Sequence, residues 1–135
     1  IAVGAAHRSA SPGQEQKHYA PRARMLLYSG PEETFRKALR EQTSTALAAG
    51  QRVGLLLPRE DLAALGADTS EVVVEDLGPA ADLDGIAHRL YAALRRLDAA
   101  QVDLILARSL GQTGLARAIH DRLTRAASGN VIEVP

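Results

Sequence analysis

Short apolar runs of strand length alternate with amphipathic helical stretches over residues 24–134, and this alternation limits the possible folds more than any other feature. The runs are continuously apolar, which is typical of strands covered on both faces. Strands that alternate with helices of this length predict a parallel sheet with helices on both of its faces. The predicted strands are residues 25–28, 53–57, 72–74, 102–107 and, as a short last strand, 131–134.

Four helices are predicted between these strands. The first begins at Pro31, which suits the first turn of a helix, and Gly50 stops it. The second covers residues 60–65, and Asp82 or Asp84 caps the third, which has the most regular apolar stripe. The fourth covers residues 114–127. The predicted core-facing positions of the three long helices are Phe35, Ala38, Leu39, Gln42, Ala46, Leu47, Leu83, Ile86, Ala87, Leu90, Leu94, Leu97, Leu115, Ala118, Ile119 and Leu123.

Composition excludes several classes of function. Sixteen basic and sixteen acidic residues give no net charge, so no overall field attracts nucleic acid or an acidic membrane. With no Cys in the chain, disulfides and thiolate chemistry are excluded, which is compatible with a reducing cytosol. No apolar run approaches the length of a membrane span, and no signal peptide pattern is present. The first residue is Ile, which indicates that the chain is a piece of a longer protein.

One loop has the position of a phosphate-binding loop. Gly111, Gln112, Thr113 and Gly114 follow a predicted strand and open a helix, where phosphates often bind. The loop lacks the Lys-Ser/Thr ending of a P-loop and the three glycines of a dinucleotide fingerprint. A plain turn with Thr113 as the helix cap is the simpler interpretation.

Other chemistry-bearing residues have structural explanations. The four His residues are scattered without the spacing of metal ligands, so no metal site is predicted. Glu60 and Asp61 lie at a helix start, where capping explains them. The arginines of the last helix are explained by a solvated face. No Gly-x-Ser-x-Gly motif is present, which argues against an esterase nucleophile.

The least foldable segment is residues 11–21, which we call the strap: Ser-Pro-Gly-Gln-Glu-Gln-Lys-His-Tyr-Ala-Pro. Pro12 and Gly13 favour a turn, and Pro21 drives Ala20 towards an extended conformation. Such a strap is either a lid that presents His18 and Tyr19 or a plain tether between domains. As a lid it should have little to pack against in the domain that follows, so Tyr19→Ala should leave that domain's stability nearly unchanged.

The strap resembles the interdomain linker of two-domain threonylcarbamoyl-AMP synthases. The resemblance rests on Ser11, Pro12 and Gly13, followed after four residues by His-Tyr-Ala-Pro at residues 18–21. Residues 84–98 and 114–127 are similar to two helices of the same family's C-terminal domain. Residues 14–17 depart from the family, which often has Met-Lys-Tyr-Arg/Lys there, because an aromatic residue is lost and an acid is gained.

The resemblance implies a fold, an activity and a set of partners. It implies a Rossmann-like three-layer domain over residues 24–135, with residues 1–23 as the interdomain linker. The whole enzyme would join L-threonine, bicarbonate and ATP into threonylcarbamoyl-AMP and pyrophosphate, in the cytoplasm, for the modification of a tRNA adenosine. Catalysis, ATP and Mg²⁺ would belong to an N-terminal catalytic domain, so this segment itself would hold no cofactor and bind neither membrane nor nucleic acid directly.

The residues that carry over from the family belong to the strap. We expect no catalytic residue in this chain and a lid made by Ser11, Pro12, Gly13, His18, Tyr19 and Pro21. Two alternatives stay open. The first is a stand-alone α/β domain that senses a nucleotide or small molecule at residues 108–114, with Gly111 to Gly114 as the ligand loop. The second is a protein-docking module.

Overall fold

The computed structural model describes residues 18–66 and 71–135, and the elements alternate strictly between strand and helix. The predicted last strand is present, although it is three residues long. The strands are β1 (Arg24–Ser29), β2 (Val53–Leu57), β3 (Val72–Asp76), β4 (Leu104–Arg108) and β5 (Val131–Glu133). The helices are α1 (Glu32–Ala48), α2 (Arg59–Leu65), α3 (Leu83–Ala99) and α4 (Gly114–Ala126).

The five strands form one sheet in the order β3-β2-β4-β1-β5, and every pairing is parallel. β4 is inserted between β1 and β2, with Leu26 beside Leu106 and Leu55 beside Leu106 on the other side. The connection that leaves β1 leads to β2, in the direction of the edge strand β3. The connection that leaves β4 leads to the other edge strand, β5. The crevice between the carboxyl ends of β1 and β4 is therefore the topological switch point of the sheet.

The core is divided into two layers by the sheet. One layer is formed by α3 and α4 against residues such as Met25, Leu27 and Ile105, and the other by α1 and α2 against Leu26 and Leu104. Successive strand residues face opposite layers, as the pleat requires. The predicted α/β fold, with a parallel sheet and helices on both faces, is confirmed.

The helix predictions hold for α1 and α3 and need one correction in α4. Phe35, Leu39, Ile86 and Leu97 are all buried, in agreement with the predicted stripes. Leu115, in contrast, is exposed. The buried stripe of α4 consists of Ala116, Ile119, Leu123 and Ala126, which follow one another at helical spacings of three or four residues.

Smaller differences concern boundaries and caps: α1 begins at Glu32, with Pro31 as its N-cap residue, and β3 extends to Asp76. β4 begins at Leu104 rather than at residue 102, although Val102 is buried just before it. Of the two candidate caps of α3, Asp82 is the actual one, because its carboxylate accepts a hydrogen bond from the Gly85 amide at 3.1 Å. Among the helices of the described residues, none has the length and apolar character needed to cross a membrane.

Candidate functional site

Tyr19 of the strap lies on the surface of α3, near the end of the sheet at which the strands begin. Its hydroxyl donates a hydrogen bond to Asp98 Oδ2, and its ring meets the ring of Tyr91 edge-on, with 5.4 Å between the centroids. The ring also contacts the apolar layer beneath α3 and α4. Edge-to-face pairs of this kind stabilise a contact beyond the area that they bury. Tyr19 is therefore anchored to the domain.

This anchoring corrects the expectation that the strap has little to pack against. Tyr19 is half-buried and Pro21 is buried, so truncation of Tyr19 removes real contacts of the domain. The prediction that Tyr19→Ala leaves stability nearly unchanged assumed that Tyr19 has nothing to pack against, and this assumption is wrong. The other predicted lid residues, which lie outside the described residues, are Ser11, Pro12 and Gly13.

Asp98 also binds the backbone directly after the strap. Its Oδ1 accepts a hydrogen bond from the Arg22 amide at 3.0 Å, so both carboxylate oxygens are used. Beside Asp98 lies a cavity of about 340 Å³, whose lining includes Arg22, Arg24 and Asp103. On the other side of the strap, Arg125 Nη1 of α4 lies 3.4 Å from His18 Nδ1. Residues 18–22 thus contact both α3 and α4 shortly before β1 begins.

The anchored hydroxyl of Tyr19 has a strongly perturbed pKa. Burial of the ring and the hydrogen bond to the Asp98 carboxylate raise the pKa of Tyr19 to about 12, and the Arg95 guanidinium opposes them. A phenol whose pKa is higher in the folded state than in the unfolded chain contributes stability below the unfolded pKa of about 10, and this contribution is lost as the pH rises through the folded pKa.

We therefore expect the chain to lose more stability between pH 10 and pH 12 than its Tyr19→Phe variant does. The measurement is urea unfolding at a series of pH values, combined with the tyrosinate absorption near 295 nm, which no Trp obscures. Tyr28, whose pKa burial also raises, is present in both proteins and cancels in the comparison. Equal losses of stability in the two proteins would contradict the anchored phenol.

The predicted ligand loop lies at the opposite end of the sheet, where the strands end and where the switch point lies. All four residues from Gly111 to Gly114 are exposed, and Gly111 and Gly114 have positive φ angles, which explains the need for glycine. Thr113 is the N-cap residue of α4, as predicted, but its side chain makes no capping hydrogen bond. Just before the loop, Ser109 Oγ lies 2.8 Å from His120 Nδ1, which ties the end of β4 to α4.

A buried ionic network lies beside this crevice. Asp61 is fully buried, and its Oδ1 accepts hydrogen bonds from Arg36 Nη2 at 2.9 Å and Arg108 Nη1 at 3.0 Å. Glu32 Oε2 lies 3.4 Å from Arg108 Nη2, and the Arg108 guanidinium carbon stands 5.3 Å from the centre of the Phe35 ring. Two arginines and two carboxylates carry no net charge, so the network creates little field for an anionic ligand.

The network corrects the interpretation of Asp61 as a helix-capping acid. Of the two acids, Glu60 is the one whose carboxylate accepts a hydrogen bond from a backbone amide, that of Ala80. This hydrogen bond lowers the pKa of the Glu60 carboxyl group. Asp61 turns inward because Arg108, at the end of β4, and Arg36 of α1 converge on it. The sequence contains no signal for this cluster or for Asp98, since their partners are 25 to 79 residues distant.

The strap and the loop are thus not brought together. The described part of the strap, residues 18–21, lies at the end of the sheet where the strands begin, and the loop lies where the strands end. The described residues contain no nucleophile aligned with a base and a third orienting group, which is the arrangement that covalent catalysis needs. What they do contain is an anchored segment, in which the Tyr19 hydroxyl and the Arg22 amide are both held by Asp98 of α3.

Comparison with known proteins agrees with this arrangement. Residues 2–128 match the family described as "Threonylcarbamoyl-AMP synthase, C-terminal domain". The threonylcarbamoyl-AMP synthase of Bacillus subtilis is 38% identical over 122 residues, which are 90% of this chain and 33% of that protein. The chain thus spans about a third of the length of the curated relatives it matches.

Solved structures share the fold. The crystal structure of Pyrococcus abyssi Sua5 complexed with L-threonine superposes with a TM-score of 0.74 at 30% identity, over 87% of this chain and 32% of that one. The C-terminal Sua5 domain from a Pyrococcus horikoshii protein has a TM-score of 0.63 at 25% identity, over 85% of this chain and 100% of that one. Because the family match covers nearly the whole chain, the chain belongs to the threonylcarbamoyl-AMP synthase C-terminal domain family.

Proposed function

We propose that the chain is the accessory domain of a longer enzyme that joins L-threonine, bicarbonate and ATP into threonylcarbamoyl-AMP and pyrophosphate. The observation that carries the proposal is the family match over residues 2–128, with relatives about three times as long that bear this activity as their name. The P. abyssi structure complexed with L-threonine supports threonine as a substrate of the whole enzyme.

Catalysis belongs in this proposal to an N-terminal catalytic domain. ATP, Mg²⁺ and bicarbonate would bind there, and the adenylate would serve the threonylcarbamoyl modification of a tRNA adenosine in the cytoplasm. The accessory domain would contribute the strap. A segment that closes over the adenylate would exclude water from a product that water destroys, as lids of other enzymes do.

The strap has the properties that a lid requires. His18 and Tyr19 each combine a flat apolar body with a polar tip, and both lie on the surface of the domain. Tyr19 is attached by one hydrogen bond of its hydroxyl and by ring contacts with Tyr91 and the apolar layer, and a substrate-bound cleft would have to replace these interactions. The lid role of these two residues, with Pro21, supplies the link between the accessory domain and the chemistry.

The chain alone is expected to release no pyrophosphate above background, because its described residues contain no catalytic constellation. The longer protein should release pyrophosphate when ATP, threonine and bicarbonate are all present, and should stop when threonine is omitted. A coupled pyrophosphate assay on both proteins measures this. Turnover by the chain alone, or none by the longer protein, would overturn the proposal.

A second candidate function is the sensing of a small molecule at the switch point. It is favoured by one observation: the Nε of Arg108 is buried and has no hydrogen-bond partner among the described residues. In this alternative a ligand at the carboxyl ends of the strands supplies the missing acceptor, and Gly111 to Gly114 form the rest of its site. Calorimetric titration of the chain with ATP and with L-threonine separates the two functions, since binding by the chain alone supports the sensor.

A further inference from the structure

One side of the Arg108 guanidinium is poorly satisfied. Its Nη1 donates hydrogen bonds to both oxygens of Asp61, at 3.0 Å and 2.9 Å. Its Nε is buried, and it has no hydrogen-bond partner within residues 18–66 and 71–135. A buried donor without an acceptor destabilises a protein, so each such group in a native structure requires an explanation. A ligand that supplies the acceptor is one explanation.

The carboxylate of Glu32 lies beside this side of the guanidinium without satisfying it. The Nε and Nη2 groups of an arginine point in the same direction and together match the two oxygens of one carboxylate. Glu32 Oε2 is 3.4 Å from Arg108 Nη2, and its Oε1 is 3.8 Å from Arg36 Nη1. Charge-assisted bonds of this type are usually about 2.7–2.9 Å long. The half-exposed Glu32 side chain therefore occupies a carboxylate position loosely.

The charges of the network allow another carboxylate to replace that of Glu32. Asp61, Arg36 and Arg108 together carry one net positive charge, which Glu32 balances. After displacement Glu32 would remain in the first turn of α1, where the helix dipole favours an acid. A monoanion thus restores neutrality at the arginines. A phosphate dianion would instead leave an excess of negative charge close to Glu32 and Glu33.

The guanidinium of Arg108 also lies where open parallel sheets bind their ligands. Arg108 is the last residue of β4 and pairs with Tyr28 of β1, so it stands at the switch point of the sheet. Asp61 and the ring of Phe35 hold the guanidinium in one position. A group that is already immobilised loses little conformational freedom when a ligand binds, which favours binding.

We propose that Nε and Nη2 of Arg108 bind the carboxylate of a small monocarboxylic acid, which takes the place of the Glu32 carboxylate. In this site Arg108 is the binding residue, Asp61 orients it, and Glu32 competes with the ligand for it. The inference rests on the second candidate function, because it assigns a ligand chemistry to the switch point. It does not depend on the catalytic activity proposed for the longer protein.

The competition predicts opposite effects for two substitutions, with acetate as the probe. Glu32→Gln removes a like charge next to the bound carboxylate and should tighten acetate binding by about three- to tenfold. Arg108→Lys keeps the positive charge but loses the paired donors, so it should weaken acetate binding by about tenfold or more. Glu33→Gln is the matched control in the same turn, and it should alter the affinity by less than about twofold because water screens an exposed charge.

The measurement is an NMR titration of the uniformly ¹⁵N-labelled chain with sodium acetate at constant ionic strength. The Nε–H proton signal of Arg108 should move downfield as Nε gains an acceptor. The Nε of Arg36 already donates to Asp61 Oδ1 at 3.0 Å, so its signal should stay in place. The backbone amide signal of Ser109 gives the dissociation constant in Arg108→Lys, which lacks the Nε signal. Parallel titrations with sodium chloride and sodium phosphate test for a general anion site.

A saturable shift of the Arg108 signal with acetate, at lower concentration in Glu32→Gln, supports the inference. An equal shift with chloride, tighter binding of phosphate, or an affinity that Glu32→Gln leaves unchanged would overturn it. Equal tightening in Glu33→Gln would also overturn it. If Arg108→Lys fails to fold, the two glutamine variants still decide. If calorimetry shows that the chain binds ATP or L-threonine while acetate leaves the Arg108 signal in place, the sensor function stands and only this ligand chemistry fails.

Discussion

Replacing Asp61 with Asn should lower the free energy of unfolding by about 3–5 kcal/mol, which is a large part of the stability of a domain of this size. Asp61 is fully buried, and it is the group on which the guanidinium groups of Arg36 and Arg108 converge. Without its charge, two largely buried cations keep only Glu32, whose side chain is 55% exposed and more distant. Urea unfolding of the two proteins measures the difference.

A matched control is available in Asp121→Asn. Asp121 pairs with Arg117 at 3.4 Å on the surface of α4, and both side chains are more than half exposed. Exposed pairs of this kind contribute at most about 1 kcal/mol, because water screens them. If Asp61→Asn costs no more than Asp121→Asn, the buried network does not stabilise the domain in the way its geometry indicates.

The cost should come from the unpaired cations rather than from the loss of a favourable bond. Burying an ion pair requires desolvation that its attraction barely repays, so an apolar replacement of the whole set is often neutral. Combining Asp61→Leu with Arg36→Met and Arg108→Met should therefore recover most of the lost stability. A triple variant less stable than Asp61→Asn would show that the network contributes net stability.

Phe35→Ala should be about as damaging, with an expected loss of about 3–5 kcal/mol. Phe35 is the largest of the fully buried side chains and lies between α1 and the sheet. Its ring is 6.0 Å from that of Tyr28 and beneath the guanidinium of Arg108. Truncation to Ala leaves a cavity and removes the apolar surface over which Arg108 lies. Denaturant unfolding gives the value.

Phe35→Leu separates these two contributions. Leucine fills most of the volume, so the cavity is small, but it offers no ring face to Arg108. We expect a loss of about 1–2 kcal/mol for Phe35→Leu, well below that of Phe35→Ala. Equal losses for the two substitutions would show that the contact with Arg108, rather than the packing, dominates at this position.

The kinds of elements and most of the core were predictable because they depend on local periodicity. Continuous apolar runs such as residues 53–57 identified buried strands, and the stripe of α3 identified its buried face. The exception is Leu115, where a helix with several small residues offers two candidate faces. Which one is buried depends on the angle at which α4 packs on the sheet, and periodicity carries no information about that angle.

The strap itself was recognisable from its residues, but its position was not. Ser-Pro-Gly and His-Tyr-Ala-Pro indicated an interdomain linker by resemblance, and the lid role of His18 and Tyr19 stays a prediction. The attachment of Tyr19 to Tyr91 and Asp98 joins residues more than seventy positions apart. No spacing rule links such residues, since their proximity arises only when α3 lies beside the entrance to β1.

The sequence by itself thus determined the alternation of strands and helices, the parallel sheet and the family, because each of these depends on local patterns or motifs. The tertiary structure decided the strand order β3-β2-β4-β1-β5, the inward turn of Asp61 and the use of Asp98 as the acceptor for the strap. The physical reason is the same in all three cases. Parallel neighbours, buried ion pairs and side-chain anchors are contacts between distant segments, and their partners are set by how whole elements pack.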